Sequence, residues 1–348
     1  MRTTPLFLLI PALSLLVPPA LLCATNASGI RIELVDAHTS ASLRGVHVAG
    51  DSVWLSGTDG TVIRSADKGR TWQACPVPAG AAKLDFRAVW AWDSERAVVM
   101  SSGPGDQSRL FRTADGCRTW QPGLVNADSR GFWDAMVFAG DEGAILGDPV
   151  SGRFVIMYTH DRDLSWTRDE SPGLTALSNN EGAFAASNSA LFAFPDSAGL
   201  LLWFGTGGPQ AARVFRRQGG EWVATQVPLA NSNSSSGVFS VAFRDSKHGV
   251  AVGGDYTKAS NPTGTAATTS DGGQSWSPAT LPPSGYRSAV AWDPDRSPPS
   301  WIAVGSNGAD LSADDGKTWS PIDQGAWNAL SLPWCVGPHG RVGRILRK

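Results

Sequence analysis

Short runs of alternating apolar and small residues recur along the chain, and each run starts with an aromatic residue or leucine followed by one variable residue. The seven copies are LRGVHV from Leu43, FRAVWAW from Phe86, WDAMVFA from Trp133, FAASNSALF from Phe184, FSVAF from Phe239, YRSAVAW from Tyr286 and WNALSL from Trp327. Alternation with a period of two is typical of β-strands, and small residues suit strands that crowd around a central axis. The pattern predicts seven repeated units, each of which begins with an innermost strand.

A second motif, S/T-x-D-x-G-x-T/S-W, lies near the end of most units, and we call it the Asp box. Its five copies end at Trp72, Trp120, Trp166, Trp276 and Trp319. Two copies depart from the glycine position, where Cys117 and Asp163 stand instead. The segment FRRQGGEW, which ends at Trp222, keeps the glycine and the tryptophan but has no aspartate. A spacing of roughly 40 to 55 residues indicates a radial repeat of small sheets.

The composition agrees with an all-β chain. The 348 residues include 15 Trp and 39 Gly but only 17% charged residues, which fits short strands and tight turns better than long solvated helices. The formal net charge of -2 gives no general attraction for phosphate backbones, so no nucleic-acid partner is expected. The sequence has no cysteine or histidine spacing typical of a metal site and no nucleotide-binding motif, so no metal or cofactor is expected.

The repeated Asp box resembles the Asp-box, or BNR, repeat of sialidase-like β-propellers, in which the box forms the turn between the third and fourth strands of a blade. Over the whole mature chain, the boxes together with GVAVGGD, WIAVGSNGADLSADDGKTW and VGPHGRVGRIL are similar to the photosystem II assembly and stability factor family. This resemblance implies a seven-bladed β-propeller that binds protein partners, with an arginine-rich patch implicated in docking.

The seventh unit has room for three strands and lacks an Asp box. The segment from Ile30 to Ser40 is expected to supply its outer strand, which would close the ring and leave no open blade edge. In a four-stranded blade, the start of the first strand and the third-to-fourth turn lie on opposite faces. The Asp-box aspartates are therefore expected to be structural residues of turns remote from any binding mouth: Asp67, Asp115, Asp161, Asp271 and Asp314.

The variable residues of the seven innermost strands are predicted to form a ring around one mouth of the channel: Arg44, Arg87, Asp134, Ala185, Ser240, Arg287 and Asn328. The three arginines suit a carboxylate, sulfate or phosphate, because a guanidinium offers paired donors in a fixed geometry. The alternative is that they pair with acids of neighbouring blades or cap carbonyl groups. Long loops on the same face add further candidate ligand-binding residues: Asp106, Gln107, Arg109, Asp148, Arg153, Glu181, Arg213, Asp255, Tyr256 and Lys258. The loop arginines are equally compatible with a structural pairing to the loop acids.

Two functions are compatible with such a mouth. The first is a non-catalytic propeller, expected to be a monomer, that binds a protein segment or an anionic small-molecule or glycan ligand. The second is a glycosidase-like or sialidase-like hydrolase, which needs two carboxyl groups, and the candidates are Asp134, Asp148, Glu181 and Asp255. The three ring arginines could imitate the arginine triad of sialidases. However, no tyrosine follows Tyr286, and IRIEL lacks the proline of the R-I-P motif.

The N-terminal pattern predicts a signal peptide at residues 1–27, followed by a single propeller domain at residues 28–348. One arginine precedes an apolar stretch that prolines interrupt and small residues end, which favours an export signal over a membrane span. The mature chain is therefore expected to be periplasmic or extracellular, without a transmembrane span. Cys23 offers an alternative lipid anchor, which Leu22 disfavours because a small residue is expected there.

The three remaining cysteines leave two interpretations open. An odd number without a C-x-x-C spacing indicates neither a zinc site nor a disulfide framework. One disulfide, between Cys75 and Cys117, is compatible with the sequence, and so are three inert thiols.

Overall fold

Seven small sheets form the molecule. The computed structural model describes residues 29–196 and 199–347, and these residues form 28 strands in seven four-stranded antiparallel sheets. Within the described residues the helical elements are two short 3-10 turns, Gly105–Gln107 and Tyr256–Lys258. Each sheet follows one predicted repeat unit, so the predicted all-β, seven-bladed β-propeller is confirmed. The predicted signal peptide and Cys23 lie outside the described residues.

The chain ends close the ring. The first strand, β1 (Ile30–Asp36), pairs antiparallel with the last strand, β28 (Arg341–Arg347), from Ile30↔Arg347 to Asp36↔Arg341. The sheet order β1-β28-β27-β26 makes β1 the outermost strand of blade 7. The N-terminal strand therefore completes the C-terminal blade, as the length of the seventh unit predicts.

The other strands follow the chain blade by blade, from the innermost strand outwards. Blades 1 to 3 contain β2 (Leu43–Ala49), β3 (Ser52–Gly57), β4 (Val62–Ser65), β5 (Gln73–Ala74), β6 (Phe86–Ala91), β7 (Ala97–Ser101), β8 (Arg109–Thr113), β9 (Gln121–Val125), β10 (Trp133–Ala139), β11 (Glu142–Val150), β12 (Arg153–Thr159) and β13 (Thr167–Arg168). Blades 4 to 7 contain β14 (Leu191–Asp196), β15 (Gly199–Thr206), β16 (Arg213–Gln218), β17 (Glu221–Gln226), β18 (Ser236–Phe243), β19 (Gly249–Asp255), β20 (Ala266–Thr269), β21 (Ser277–Pro278), β22 (Ala289–Asp293), β23 (Ser300–Gly305), β24 (Gly308–Ser312), β25 (Ser320–Asp323), β26 (Ala329–Ser331) and β27 (Trp334–Val336).

The apolar core is divided among the interfaces between blades. The described residues contain seven buried apolar clusters, and each cluster combines side chains of two adjacent blades. Trp54 of blade 1 packs with Phe86 of blade 2, for example, and Trp334 of blade 7 packs with Leu43 of blade 1. Burial of apolar surface therefore holds each blade to its two neighbours.

Each Asp box forms the same turn between the third and fourth strands of its blade. In blade 3, the carboxylate of Asp161 accepts hydrogen bonds of 2.6 to 3.1 Å from the N–H groups of Leu164 and Ser165 and from the Ser165 hydroxyl. The Thr159 hydroxyl donates to the same carboxylate over 2.8 Å. Matching bonds from the two flanking hydroxyl residues surround the other aspartates, Asp67, Asp115, Asp271 and Asp314. These bonds satisfy donors of the turn itself, so each aspartate has a structural role.

The Asp boxes lie on the face opposite the starts of the innermost strands. The Lys68 N–H in the first box donates to the carbonyl of Asp51, in the turn between β2 and β3. The Arg162 N–H makes the same bond to Asp141 in blade 3. The first-to-second and third-to-fourth turns therefore share one face, and the innermost strands begin on the other. Blade 4 differs, because a tight turn at residues 219–220 replaces its box.

A disulfide joins blades 1 and 2. Cys75 follows β5, Cys117 lies in the Asp box of blade 2, and their Cα atoms are 5.6 Å apart. Cys335 is an unpaired, buried thiol. Of the two interpretations that the sequence leaves open, the structure has the disulfide.

The Asp-box carboxylates predict a loss of stability in acid. Hydrogen bonds from Ser165, from Thr159 and from the Leu164 N–H lower the pKa of Asp161 from 3.8 to about 2. Because the pKa is lower in the folded protein, the turn stabilises the fold above about pH 4, and this contribution is lost as the pH falls through about 2. We expect Asp161→Asn to melt a few degrees below the wild type at pH 7, by circular dichroism, and by a much smaller margin at pH 2, where about half of the Asp161 carboxyl groups are protonated. A difference that is equal at both pH values would contradict this role.

The disulfide predicts a redox-dependent melting temperature. It closes a sequence separation of 42 residues, and constraint of the unfolded chain by such a loop stabilises a fold by about 4 kcal/mol. We expect the double variant Cys75→Ser, Cys117→Ser to melt well below the wild type in differential scanning calorimetry. Reductant should lower the melting temperature of the wild type to that of the double variant and leave the double variant unchanged. The disulfide would be contradicted if reductant left the melting temperature of the wild type unchanged and the double variant melted at the same temperature as the wild type.

Candidate ligand site at the channel mouth

A β-bulge lies at the start of the innermost strand in each of the first three blades. In blade 1 the pairing register passes from Leu43 to Gly45 and omits Arg44. Arg87 in blade 2 and Asp134 in blade 3 are omitted in the same way. A bulged residue leaves the regular alternation of the strand, so its side chain is re-aimed. The predicted variable position therefore corresponds to a bulge in the first three blades.

The register differs by one residue in blade 5. There the omitted residue is Phe239, and the regular pairing resumes at Ser240. Ser240 is fully buried, and its hydroxyl accepts hydrogen bonds from the Ser189 hydroxyl and the Val290 N–H. Phe239, rather than the predicted Ser240, lines the mouth.

Blade 6 holds its arginine inside the sheet. Arg287 is 0% exposed, and its Nε donates to Asp310 over 2.7 Å. Its other nitrogens donate to Asn307 Oδ1, over 2.6 Å, and to Ser284 Oγ, over 2.8 Å. Burial lowers the pKa of Arg287, and the Asp310 carboxylate opposes that change. Arg287 is therefore not among the residues that line the mouth, and the structural pairing that we weighed as an alternative describes it.

The mouth contains a pocket of about 430 Å³ that is part cationic and part aromatic. Its lining comprises Arg44, Arg87, Phe184, Ala185, Ala186, Phe239, Tyr256, Tyr286, Ser306 and Asn328. Of the predicted ring, the pocket brings together Arg44, Arg87, Ala185 and Asn328, and of the predicted loop residues it includes Tyr256. Asn328 also donates to the Leu43 carbonyl over 2.8 Å and so links blade 7 to blade 1.

The floor of this pocket is a segment that crosses the channel. Blade 4 does not begin its innermost strand at Phe184, because β14 starts only at Leu191. The preceding residues 184–190, which we call the crossing segment, instead reach four other blades. These hydrogen bonds join Arg87 Nη1 to Ala185 O (3.0 Å), Met136 N to Asn188 Oδ1 (2.7 Å), Ser187 Oγ to Ser288 O (2.6 Å) and Ser189 Oγ to Ser240 Oγ (2.7 Å).

Arg44 carries a positive charge that the protein does not balance. Its Nε is buried without a hydrogen-bond partner, and in the described part of the chain its side chain forms no ion pair. The nearby Asp85 carboxylate pairs with Arg87, Nε to Oδ2, over 2.8 Å. Burial, and then repulsion from Arg87, lower the pKa of Arg44. The pocket therefore presents unsatisfied donors and excess positive charge.

Four aromatic rings form the opposite wall of the pocket. The rings of Phe184 and Phe239 stack with centroids 3.7 Å apart, and Tyr286 meets Phe239 edge-on at 4.8 Å. Tyr256 adds a further edge-on contact to Phe239 at 6.1 Å. Burial raises the pKa of Tyr286, so its hydroxyl stays neutral beside Arg44. The wall supplies apolar surface but no negative charge that could neutralise Arg44 and Arg87.

Four of the charged loop residues form two ion pairs of their own, and Arg153 binds backbone carbonyl groups. Glu181 is buried and accepts from Arg213, with Nη2 to Oε2 at 2.5 Å and Nε to Oε1 at 2.8 Å. Arg109 pairs with Asp106 at 3.1 Å in an exposed loop. Arg153 donates to backbone carbonyls of its own blade. Arg109 and Arg213 therefore have the structural pairing with acids that the sequence leaves open, whereas Arg153 binds carbonyl groups instead.

Asp255 caps the 3-10 turn of blade 5. Its carboxylate accepts from the N–H and hydroxyl of Thr257, at 3.0 and 2.6 Å, and from Asn233 Nδ2 at 2.9 Å. Burial opposes ionisation, but the hydrogen bonds from Thr257 and Asn233 outweigh it and lower the pKa of Asp255. The carboxylate is thus engaged in holding the loop.

Asp134 and Asp148 are neighbouring carboxyl groups of blade 3. Asp134 is 1% exposed, its Oδ2 has no partner, and burial together with the Asp148 charge raises its pKa well above the usual value. Burial raises the pKa of Asp148 to about 6, and its Oδ1 accepts from the Ala183 N–H over 2.9 Å. Asp134 does not line the mouth pocket, whereas Asp148 lines a second cavity beside it.

Sequence reasoning missed the aromatic wall. Phe184, Phe239 and Tyr286 were assigned to the interior as the first residues of innermost strands. In blade 5 the available signal was the small residue that follows the ring, because Ser240 matches the position of Gly45 in blade 1 only after a shift of one residue.

The fold and this pocket define the protein as a seven-bladed β-propeller with a cationic, aromatic pocket at the mouth opposite the Asp boxes. No protein-family model matches the sequence. Among the described residues, no helix has the length and apolar character that crossing a membrane requires.

Solved structures of other propellers share the fold. A structure described as YCF48 bound to D1 peptide is 14% identical with a TM-score of 0.63, over 93% of this chain and 99% of that chain. YCF48 from Cyanidioschyzon merolae is 16% identical with a TM-score of 0.59, over 90% of this chain and 98% of that one. The WD40 β-propeller domain of Doa1 is 10% identical with a TM-score of 0.60, over 91% and 97%. At these identities the similarity shows the fold.

One curated relative matches part of the sequence. The vacuolar protein sorting/targeting protein 10 of Neosartorya fischeri is 26% identical over 115 residues, which is 32% of this chain and 8% of the relative. The matched region thus spans less than a tenth of that protein's length.

The contrasting environments of Arg287 and Arg44 predict opposite effects on stability. Arg287→Met leaves the buried Asp310 carboxylate unpaired, so we expect the melting temperature to fall by roughly 10 °C. Arg44→Met removes a partly buried, unpaired charge, so we expect no fall. The double variant Arg287→Met, Asp310→Leu should recover most of the loss, because no buried charge remains. Equal melting temperatures for the two single variants in calorimetry would contradict these assignments.

Proposed function

We propose that this protein is an exported, non-catalytic β-propeller that binds an anionic segment of a partner protein in the mouth pocket. The observation that carries the proposal is Arg44, which lines the pocket, has no ion-pair partner in the described chain and has a buried Nε without a hydrogen-bond partner. A carboxylate placed between Arg44 and Arg87 would accept from both guanidinium groups and relieve their mutual repulsion.

The aromatic wall supports a protein segment as the ligand. An anion alone would use the arginines and leave the exposed parts of the Phe184 and Tyr256 rings uncovered, whereas a peptide can place an apolar side chain against them. YCF48, a propeller of the same fold, has a solved structure with a bound peptide. A rigid ring of seven blades also suits recognition by loops and strand ends that do not rearrange.

Export is supported by two independent features. Residues 1–27 have the composition of a signal peptide. The disulfide between Cys75 and Cys117 is typical of oxidising compartments such as the periplasm or the extracellular space. Residues 28–348 would then be the mature chain.

We also assign the repeats to the Asp-box, or BNR, class. The support is the turn that five copies share, with the aspartate accepting from the hydroxyl residues on both sides of it.

The hydrolase alternative receives less support from the carboxyl groups. Glu181 is held by Arg213, Asp255 is held by Thr257 and Asn233, and Asp134 is enclosed. Asp148 alone of the four candidates lines a cavity without an ion-pair partner in the described chain. Glycoside hydrolysis requires two carboxyl groups that face one substrate. Turnover of any chromogenic glycoside in a panel, abolished by Asp148→Asn, would favour the hydrolase.

Selection from a random peptide library tests the proposal. The mature protein is immobilised, and an eight-residue phage library is selected on the wild type and on Arg44→Ala. We expect enriched peptides with an acidic residue next to an apolar one, and a loss of affinity of at least about tenfold on Arg44→Ala. Arg70→Ala, an exposed arginine in an Asp box on the opposite face, is the matched control and should bind like the wild type.

Melting temperatures accompany the selection, so that a folding defect is not mistaken for lost binding. Peptides that bind equally well to Arg44→Ala, or a library that yields no acidic consensus, would refute binding at this mouth.

A further inference from the structure

A second cavity adjoins the mouth pocket on the same face. It has a volume of about 700 Å³ and a mainly polar lining from blades 3 and 4. Residues 182–184 line this second cavity, and residues 184–186 line the mouth pocket, so Phe184 belongs to both. The two cavities therefore meet at one aromatic ring at the start of the crossing segment.

The charges of the second cavity come from three side chains. Glu181 is neutralised by its bidentate pair with Arg213. Arg130 is exposed and donates to Ser151 Oγ at 3.2 Å. The third is Asp148, for which the described residues supply no lysine or arginine partner. Neither Arg130 nor Asp148 has an ion-pair partner in the described chain, but Arg130 is exposed to solvent whereas Asp148 is partly buried. Asp148 is thus the less screened of the two unpaired charges of the second cavity.

The partly buried, unpaired acid of one cavity and the unpaired Arg44 of the other favour a ligand with a complementary charge at each position. An acidic group fits the mouth, where Arg44 and Arg87 offer donors. A donor or cation fits the second cavity, where one oxygen of Asp148 remains without a protein donor. A single acidic side chain would pair with Arg44 but would leave Asp148 without a partner.

We propose that the two cavities form one groove for an extended peptide with an acidic residue at Arg44 and a lysine at Asp148. The residue between them would pack on the ring of Phe184. This inference rests on the proposed function, because the acidic end of the segment occupies the same mouth, and it adds a second charge requirement and a direction to the bound chain.

The lysine contact has its own pH dependence. Burial raises the pKa of Asp148 to about 6. The carboxylate is therefore charged above about pH 6 and loses its charge as the pH falls below that value, while the acidic peptide residue stays ionised until about pH 4. The titratable and charged groups around Asp148 are Arg130, Glu181 and, from the same blade, Asp134, whose pKa is raised by burial and by the Asp148 charge.

Synthetic peptides of defined charge test this inference. Each carries one glutamate and one lysine, separated by one to four residues with a phenylalanine between them, and its matched partner has glutamine in place of lysine. Fluorescence anisotropy measures the dissociation constants at pH 7.5 and pH 5. At the best spacing we expect the lysine-to-glutamine change to weaken binding to the wild type about tenfold at pH 7.5 and less than about twofold at pH 5.

Protein variants then assign the effect. Asp148→Asn should bind the lysine and glutamine peptides with equal affinity, whereas Asp106→Asn, an exposed acid in a loop of blade 2, should keep the wild-type preference. A lysine preference that survives in Asp148→Asn would overturn the groove and leave the Arg44 contact standing. Loss of all binding in Arg44→Ala supports the proposed function, and binding of every peptide irrespective of Arg44 would refute both proposals.

Discussion

The pairing of β1 with β28 is the interaction on which the rest of the structure depends. Every apolar cluster of the described chain lies between two blades, so no blade has a core of its own. Ile30 and Ile32 of β1 belong to the cluster between blades 6 and 7, and Val35 belongs to the cluster between blades 7 and 1. The closing strand therefore completes two interfaces at once, and the ring is stable only as a whole.

Ring closure also creates the mouth pocket. Asn328 and Leu43 are separated by 285 positions in the chain, yet they are hydrogen-bonded across the junction of blades 7 and 1. Arg44 lies at the bulge beside that bond, and Arg87 follows at the same bulge in the next blade. The two charges are close because adjacent repeats place equivalent positions side by side, and the sheets hold them there despite their repulsion.

Local signals were sufficient to predict the blades, and long-range contacts limited prediction of the site. The Asp boxes could be predicted because the hydrogen bonds of each aspartate lie within seven consecutive residues, from Ser65 to Thr71 at Asp67. The sequence pattern predicted Arg287 at the mouth, but the side chain is buried against Asp310. No local pattern indicates that pairing, because Asp310 lies 23 residues later in the chain. The path of the crossing segment depends on partners up to 101 residues away, as at Ser187. The sequence left the disulfide undecided for the same reason, because the distance between Cys75 and Cys117 depends on how blades 1 and 2 pack against each other.

The crossing segment changes the mechanical character of the ring. Most blades of this molecule contact only the blades beside them, so a local opening could spread around the circumference. Residues 184–190 add hydrogen bonds from blade 4 to blades 2, 3, 5 and 6. Hydrogen bonds therefore connect blades that are not neighbours, in addition to the contacts between adjacent blades. A ligand bound at the mouth as proposed would contact a segment whose hydrogen bonds reach four other blades.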